Sequence, residues 1–115
     1  MNNITLNLDH PSKKRTEHFL NAVKDELIPI PFVPENWEHR DLILGGFEFI
    51  GKHQPLSITV IFADSYHDAN EIGRMNAFPM LPHSKWTVNG DVFYLVESSD
   101  TDRVNEVTSL FAGKE

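Results

Sequence analysis

Two groups of side chains in the sequence combine a histidine with carboxylates, the residue types that general acid–base catalysis uses. The first group is Glu38, His39 and Asp41, and the second is Asp64, His67 and Asp68. The second group is the better candidate, because it follows a predicted strand and lies at the start of a predicted helix, where polar sites are common. These residues would serve a small enzyme or a ligand-binding domain.

The second group also has a simpler interpretation. Ser65 and Asp68 have the spacing of a helix capping box, and capping accounts for them without any catalysis, with His67 facing water. We therefore predict no catalytic residue. His67, Asp64 and Asp68 remain the candidates only under the alternative hypothesis of an enzyme.

The motifs of other site chemistries are missing. The chain has no cysteine, which excludes disulfides, thiolate metal sites and cysteine nucleophiles. Its six histidines form neither His-x-His nor His-x-x-x-His, so their spacing does not point to a metal site. The sequence contains no Gly-x-Ser-x-Gly nucleophile motif, and Gly45-Gly46 lacks the pattern of phosphate-binding loops. We expect neither a metal nor another cofactor.

The charge balance argues against two classes of partner. Ten Lys and Arg stand against 17 Asp and Glu, a net charge of −7. Such a chain is not attracted to phosphate backbones or anionic lipid, so we expect no nucleic acid and no membrane partner. Phe47 and Phe49 have the spacing of RNA-stacking aromatics but lack a basic surround, and we assign them to the core. No membrane span or signal peptide is visible, so we expect a single domain over residues 1–115 that either is cytoplasmic or has lost a leader peptide.

Two predicted loops, residues 28–40 and 78–83, are more apolar than exposed loops usually are. Residues 28–40 carry three prolines within six positions, which exclude a helix or an interior strand. Either the loops seal an open face of the sheet, or they present a surface for a second copy of the chain or another protein partner. We predict the following binding residues in these two loops: Phe32, Trp37, Phe78, Met80 and Leu81.

Hydrophobic periodicity indicates the elements that position these groups. Asn89-Gly90 between two strand-prone runs predicts a hairpin with those two residues in the turn, and Gly45-Gly46 inside a strand indicates a bulge or a close backbone approach. The predicted strands cover residues 4–8, 41–50, 56–62 and the two arms of 85–96, and the predicted helices cover 12–27, 65–76 and the stretch from Ser99 or Asp100 to about 111.

The element order predicts an α+β fold, β-α-β-β-α-β-β-α. It matches the ferredoxin-like βαββαβ plan extended by a C-terminal strand and helix, with a mostly antiparallel five-stranded sheet and helices on one face. The other face would need a cover, from the Pro-rich loop, the last helix or a second subunit.

Two functional hypotheses follow. The first is a small acidic noncatalytic binding module that acts through its apolar loops or its sheet face, of which an acidic inhibitor covering a basic partner is one version. The alternative is a small α+β enzyme or ligand-binding domain with a His/Asp acid–base pair. The first predicts exposed apolar loop residues, and the second predicts a pocket where imidazole meets carboxylate. We favour the first, because no other feature departs as far from what folding alone requires.

Overall fold

The computed structural model describes residues 4–76 and 83–113, which form a five-stranded antiparallel sheet and three α-helices. Short 3₁₀ turns cover Pro34–Asn36 and Arg40–Leu42. In chain order the elements are α1 (Lys13–Asn21), β1 (Leu27–Ile30), β2 (Gly45–Gly51), β3 (Ser57–Phe62), α2 (Tyr66–Asn76), β4 (Ser84–Asn89), β5 (Val92–Glu97) and α3 (Thr101–Phe111).

The strands lie in the order β1-β2-β3-β5-β4, and every neighbouring pair is antiparallel. The first three strands follow one another as a meander. The chain then passes through α2 to the far edge, where β4 runs parallel to β3 with β5 between them. The α+β class and the five-stranded antiparallel sheet are confirmed. The ferredoxin-like plan is wrong, because α1 precedes the first strand and no helix separates β1, β2 and β3.

Helices cover both faces of the sheet, so the prediction that they lie on one face is wrong. On the first face, α1 and α3 pack with Val60 of β3 and Tyr94 of β5. On the second face, α2 packs with Ile61 of β3 and Phe93 of β5. The physical reason is that β3 and β5 are apolar on both sides, and both sides need a cover.

Residues 4–8 are not a strand, although their alternation predicts one. Leu6 is buried as predicted, but side chains of α1 take the place of a neighbouring strand. The Ile4 N–H donates to Asn21 Oδ1 at 2.7 Å, and the Leu6 N–H donates to Glu17 Oε2 at 2.7 Å. Alternation indicates which side chains are buried, but it does not indicate which groups satisfy the backbone.

The hairpin of β4 and β5 is confirmed, but its register differs from the prediction by one residue in each strand. Asn89 pairs with Val92, which leaves Gly90 and Asp91 in the turn. Gly90 has a φ of 63° and Asp91 has a negative φ, the pattern of a type II′ turn rather than type I′. Asn89 is then free to donate from Nδ2 to the Phe111 carbonyl at 2.9 Å, at the end of α3.

The remaining helices and the second hairpin confirm the local signals more closely. α2 and α3 occupy the predicted stretches, and Asp100 caps α3 by accepting the Arg103 N–H at 3.3 Å. β2 and β3 lie in two of the predicted strand stretches and form an antiparallel pair. α1 ends at Asn21, earlier than predicted, because the chain turns so that Leu27 can begin β1. Across the described ranges, none of the helices has the length and apolar character that crossing a membrane requires.

Candidate functional site

The Pro-rich segment after β1 lies across the second face of the sheet. The Trp37 ring lies 5.9 Å from the Phe32 ring and 5.9 Å from the Phe93 ring, which it meets edge to face. Phe32 packs onto Gly46, where a Cβ would overlap its ring. The close backbone approach predicted from the paired glycines is therefore confirmed. The two aromatic residues are partly buried and help to seal this face.

Asn76, at the end of α2, attaches the same segment to the helix. It is buried. Its Oδ1 accepts the Glu38 N–H at 2.8 Å, while its Nδ2 donates to the Glu38 carbonyl at 3.0 Å and to the Ile72 carbonyl at 2.8 Å. A buried amide with this many partners holds the segment in one position.

Other apolar residues of this region point outward. The described residues include six large apolar side chains that are exposed, and four of them lie on β1 and β2 or within three residues of their ends. We call these four residues the edge strip: Ile28, Val33, Leu44 and Ile50. Ile28 and Ile50 are directly opposite each other in the sheet. The Pro-rich segment thus has an inner side that packs on the sheet and an outer side that remains in contact with solvent.

β1 is an edge strand, which is compatible with its proline. The Lys52 N–H donates to the Glu26 carbonyl at 2.8 Å, so the even-numbered residues of β1 bond to β2. Pro29 therefore faces outward, where its missing N–H costs nothing in the sheet. A further strand would find no N–H donor at this position, so the edge is poorly suited to strand addition.

Two carboxylates lie on the second face near the edge strip. Glu48 is two residues from Ile50 on the same side of β2, and Glu97 lies on the same face of β5. Burial raises the pKa of the Glu48 carboxyl above its ordinary value, and the negative charge of Glu97 raises this pKa further. The surface around the strip therefore carries negative charge that is only partly solvated.

The other predicted binding residues, Phe78, Met80 and Leu81, lie outside the described residues.

The predicted acid–base group at the start of α2 is a helix cap. The Asp68 N–H donates to Ser65 Oγ at 3.1 Å, as the capping box predicts. His67 is exposed, and within residues 4–76 and 83–113 it has no hydrogen bond or ion pair with Asp64 or Asp68. The structure therefore does not bring these three side chains together as a catalytic pair would require.

The group around Glu38 does not converge on a site either. His39 is exposed, with a φ of 56°, and begins the second 3₁₀ turn. The backbone N–H and carbonyl of Glu38 are both hydrogen-bonded to the Asn76 side chain. Asp41 is exposed in the 3₁₀ turn that follows.

A polar cluster that sequence reasoning missed joins the start of α1 to the hairpin turn. The Ser12 hydroxyl donates to Asp91 Oδ1 at 2.5 Å, and His10 Nε2 lies 3.8 Å from Asp91 Oδ2. Arg15 donates from Nη2 to the Asn89 carbonyl at 3.1 Å. Ser12 and Asp91 are 79 positions apart, and no local pattern connects a helix start to a hairpin turn.

This cluster contains serine, histidine and aspartate but lacks the arrangement of a catalytic triad. His10 donates from Nε2 to the Ala63 carbonyl at 2.7 Å and accepts the Ser12 N–H on Nδ1 at 3.1 Å. Both ring nitrogens are thus occupied by the backbone, and the serine hydroxyl is directed to the carboxylate. A catalytic serine would instead donate to the imidazole. The cluster fastens the N-terminal segment to the sheet.

A groove of about 520 Å³ lies between the end of α1 and the exposed side of α3. Val23, Val107 and Leu110 form much of its apolar wall. Arg103 also lines the groove, and its buried guanidinium is only partly hydrogen-bonded. Sequence reasoning missed this residue, because an arginine near a helix start is ordinary until its neighbours are known.

Within the two described ranges, no three histidine, aspartate or glutamate side chains come together as metal ligands. Comparison of this chain with protein-family models, with curated proteins and with solved structures gives no match.

Proposed function

We propose that this protein is a noncatalytic binding module that contacts a basic protein partner through the edge strip. The observation that carries the proposal is that four of the six exposed large apolar side chains among the described residues lie on β1 and β2 or within three residues of their ends. Scattered apolar residues are normal on protein surfaces, whereas grouped ones are typical of association sites.

The Pro-rich segment has an inner side that packs on the sheet and an outer side in solvent, and this arrangement supports the assignment. Phe32 and Trp37 pack inward and account for the apolar character that folding needs. Val33, the residue next to Phe32, is exposed. Because Asn76 holds the segment in place, its outer side is presented on a rigid support, which lowers the entropy that binding must overcome.

The charge around the strip favours a basic partner over a second copy of the chain. The net charge is −7. Glu48 and Glu97 repel each other on the second face of the sheet. A partner lysine or arginine would relieve that repulsion, whereas a second copy would add like charges to it. Contact is through side chains, because Pro29 makes the strand edge a poor template for strand addition.

The test compares two double variants with matched exposure. Val33→Thr with Leu44→Gln removes apolar side chains that are 45% and 57% exposed. Tyr66→Gln with Met75→Gln is the control, on α2, where the two side chains are 61% and 47% exposed. Each chain is immobilised and exposed to a lysate of the source cells, and retained proteins are identified and then purified for affinity measurement.

We expect wild type and the α2 control to retain the same basic protein, and the edge-strip variant to bind it at least about tenfold more weakly, a loss of about 1.4 kcal/mol. Binding should weaken as salt is added. Equal binding by the two variants contradicts the proposal, as does the absence of any retained protein. A wild-type chain that is dimeric by light scattering, and monomeric in the edge-strip variant, would assign the strip to self-association instead.

A further inference from the structure

The buried guanidinium of Arg103 is the least satisfied charged group among the described residues. Its side chain is only 10% exposed, although it carries a full positive charge. Nη1 donates to Glu106 Oε1, one helical turn further along α3. Nε and Nη2 are buried and have no hydrogen-bond partner. Buried donors of a charged group are nearly always paired, so two unpaired ones require an explanation.

The two unpaired nitrogens are a matched pair. Nε and Nη2 donate from the same edge of the planar guanidinium, and this edge fits the two oxygens of a carboxylate. Glu106 binds the other terminal nitrogen, so this edge is buried and has no partner among the described residues. The pattern is that of an arginine held in position for a second carboxylate.

The groove beside Arg103 determines what such a carboxylate would be attached to. Its volume of about 520 Å³ lies within the range of small-molecule sites. Val23, Val107 and Leu110 give it apolar walls, and Lys24 adds a second cation at the rim. These walls suit an apolar tail and exclude a strongly hydrated ion such as phosphate.

We propose that the groove between α1 and α3 binds a small organic carboxylate, with Arg103 Nε and Nη2 donating to the carboxylate and the apolar tail packing on Val23, Val107 and Leu110. Neither nitrogen contacts solvent, so the rim must open slightly for entry. Lys24 is exposed, and the Glu106 side chain is more than half exposed, so both can rotate. The groove lies on the first face of the sheet, away from the edge strip, and the proposal is independent of the protein partner.

The test is titration of the ¹⁵N-labelled full chain with four probes, followed by NMR. Sodium octanoate has both the carboxylate and the tail, octanamide has the tail without the charge, and acetate has the carboxylate without the tail. Inorganic phosphate serves as the hydrated anion. We expect saturable shifts of α3 amides and of the Arg103 Nε–H with octanoate, and binding at least about tenfold weaker with each of the other three probes.

Variants then test the arginine itself. Arg103→Met should weaken octanoate binding at least about tenfold, and Arg103→Lys should also weaken it, because a lysine keeps the charge but loses the two-pronged geometry. Arg74→Met is the control, since Arg74 also pairs with a glutamate three residues away but is 61% exposed. If Arg103→Met does not fold, Arg103→Lys and the Nε–H signal of the wild type carry the test.

Three results would overturn the proposal. The first is equal octanoate affinity in wild type and both Arg103 variants. The second is octanamide or phosphate binding as tightly as octanoate. The third is an octanoate response confined to amides of β1 and β2, which would place the ligand on the edge strip.

Discussion

At the scale of single residues, Glu48 is a carboxyl whose environment disfavours its charged form. Its pKa is raised first by burial and then by the charge of Glu97. The folded protein therefore binds the Glu48 proton more tightly than the unfolded chain does. This carboxyl therefore destabilises the fold as pH rises through its unfolded and folded pKa values, and the full penalty remains at neutral pH.

Glu48→Gln should accordingly raise the free energy of unfolding at pH 7, by less than about 1 kcal/mol because the group is only partly buried. The gain should vanish near pH 3, where the wild-type carboxyl is protonated in both states. Urea unfolding at the two pH values measures the difference. Glu97→Gln should give a smaller gain, since Glu97 is the second cause of the shift. A Glu48→Gln variant that is less stable than wild type at pH 7 would contradict this account of the second face.

At this scale, contacts within one short segment could be predicted from the sequence, and contacts between distant segments could not. Capping by Ser65 and Asp100 was predictable, because a cap acts over three residues of one chain segment. The contact of Ser12 with Asp91 was not, because it joins residues 79 positions apart. Arg103 was missed because its significance lies in which of its donors remain unpaired.

At the scale of elements, α2 and β4 are fitted together by one small residue. Gly73 lies inside α2, where helix propensity alone would favour alanine by about 1 kcal/mol. A Cβ at Gly73 would overlap the ring of Trp86 on β4, whose indole packs on Phe93 at 5.7 Å. Packing and propensity thus make opposite predictions for the same substitution.

We expect packing to prevail, so Gly73→Ala should lower the free energy of unfolding by about 1–3 kcal/mol. Equilibrium urea unfolding provides the measurement. In the Trp86→Leu background, Gly73→Ala should lower the free energy of unfolding by less than it does in wild type. The smaller leucine side chain leaves room for the methyl group. Stabilisation by Gly73→Ala alone would show that helix propensity outweighs the contact with Trp86.

Elements whose signals are local were predicted well, and those that depend on distant partners were not. α2, α3 and the two hairpins each rest on a cap, a turn or a periodicity within one short segment. The strand expected over residues 4–8 failed because α1 satisfies its backbone through Asn21 and Glu17. The short strand β1 was not predicted, because the three nearby prolines argued against an interior strand. β1 is an edge strand, where Pro29 is tolerated.

At the scale of the whole molecule, the sheet is covered on both faces by parts of the same chain. α1 and α3 cover one face, while α2 and the Pro-rich segment cover the other. The element types were largely predictable, yet the topology was not, because the first predicted strand was wrong and it defined the supposed βαβ unit. Once both faces are covered internally, self-association is not needed to complete the core. Under our proposal, the outward residues of the strip serve a different partner.

Neighbouring residues of the Pro-rich segment have opposite roles, and a comparison of Phe32 with Val33 provides the sharpest test. Phe32 packs on Gly46 and Trp37, whereas Val33 is exposed. Equilibrium urea unfolding of Phe32→Ala and Val33→Ala should show a loss of about 2–4 kcal/mol for the first and less than about 0.5 kcal/mol for the second. Equal losses, or a larger loss at Val33, would mean that the outer side of the segment also serves the fold and is not a surface kept for binding.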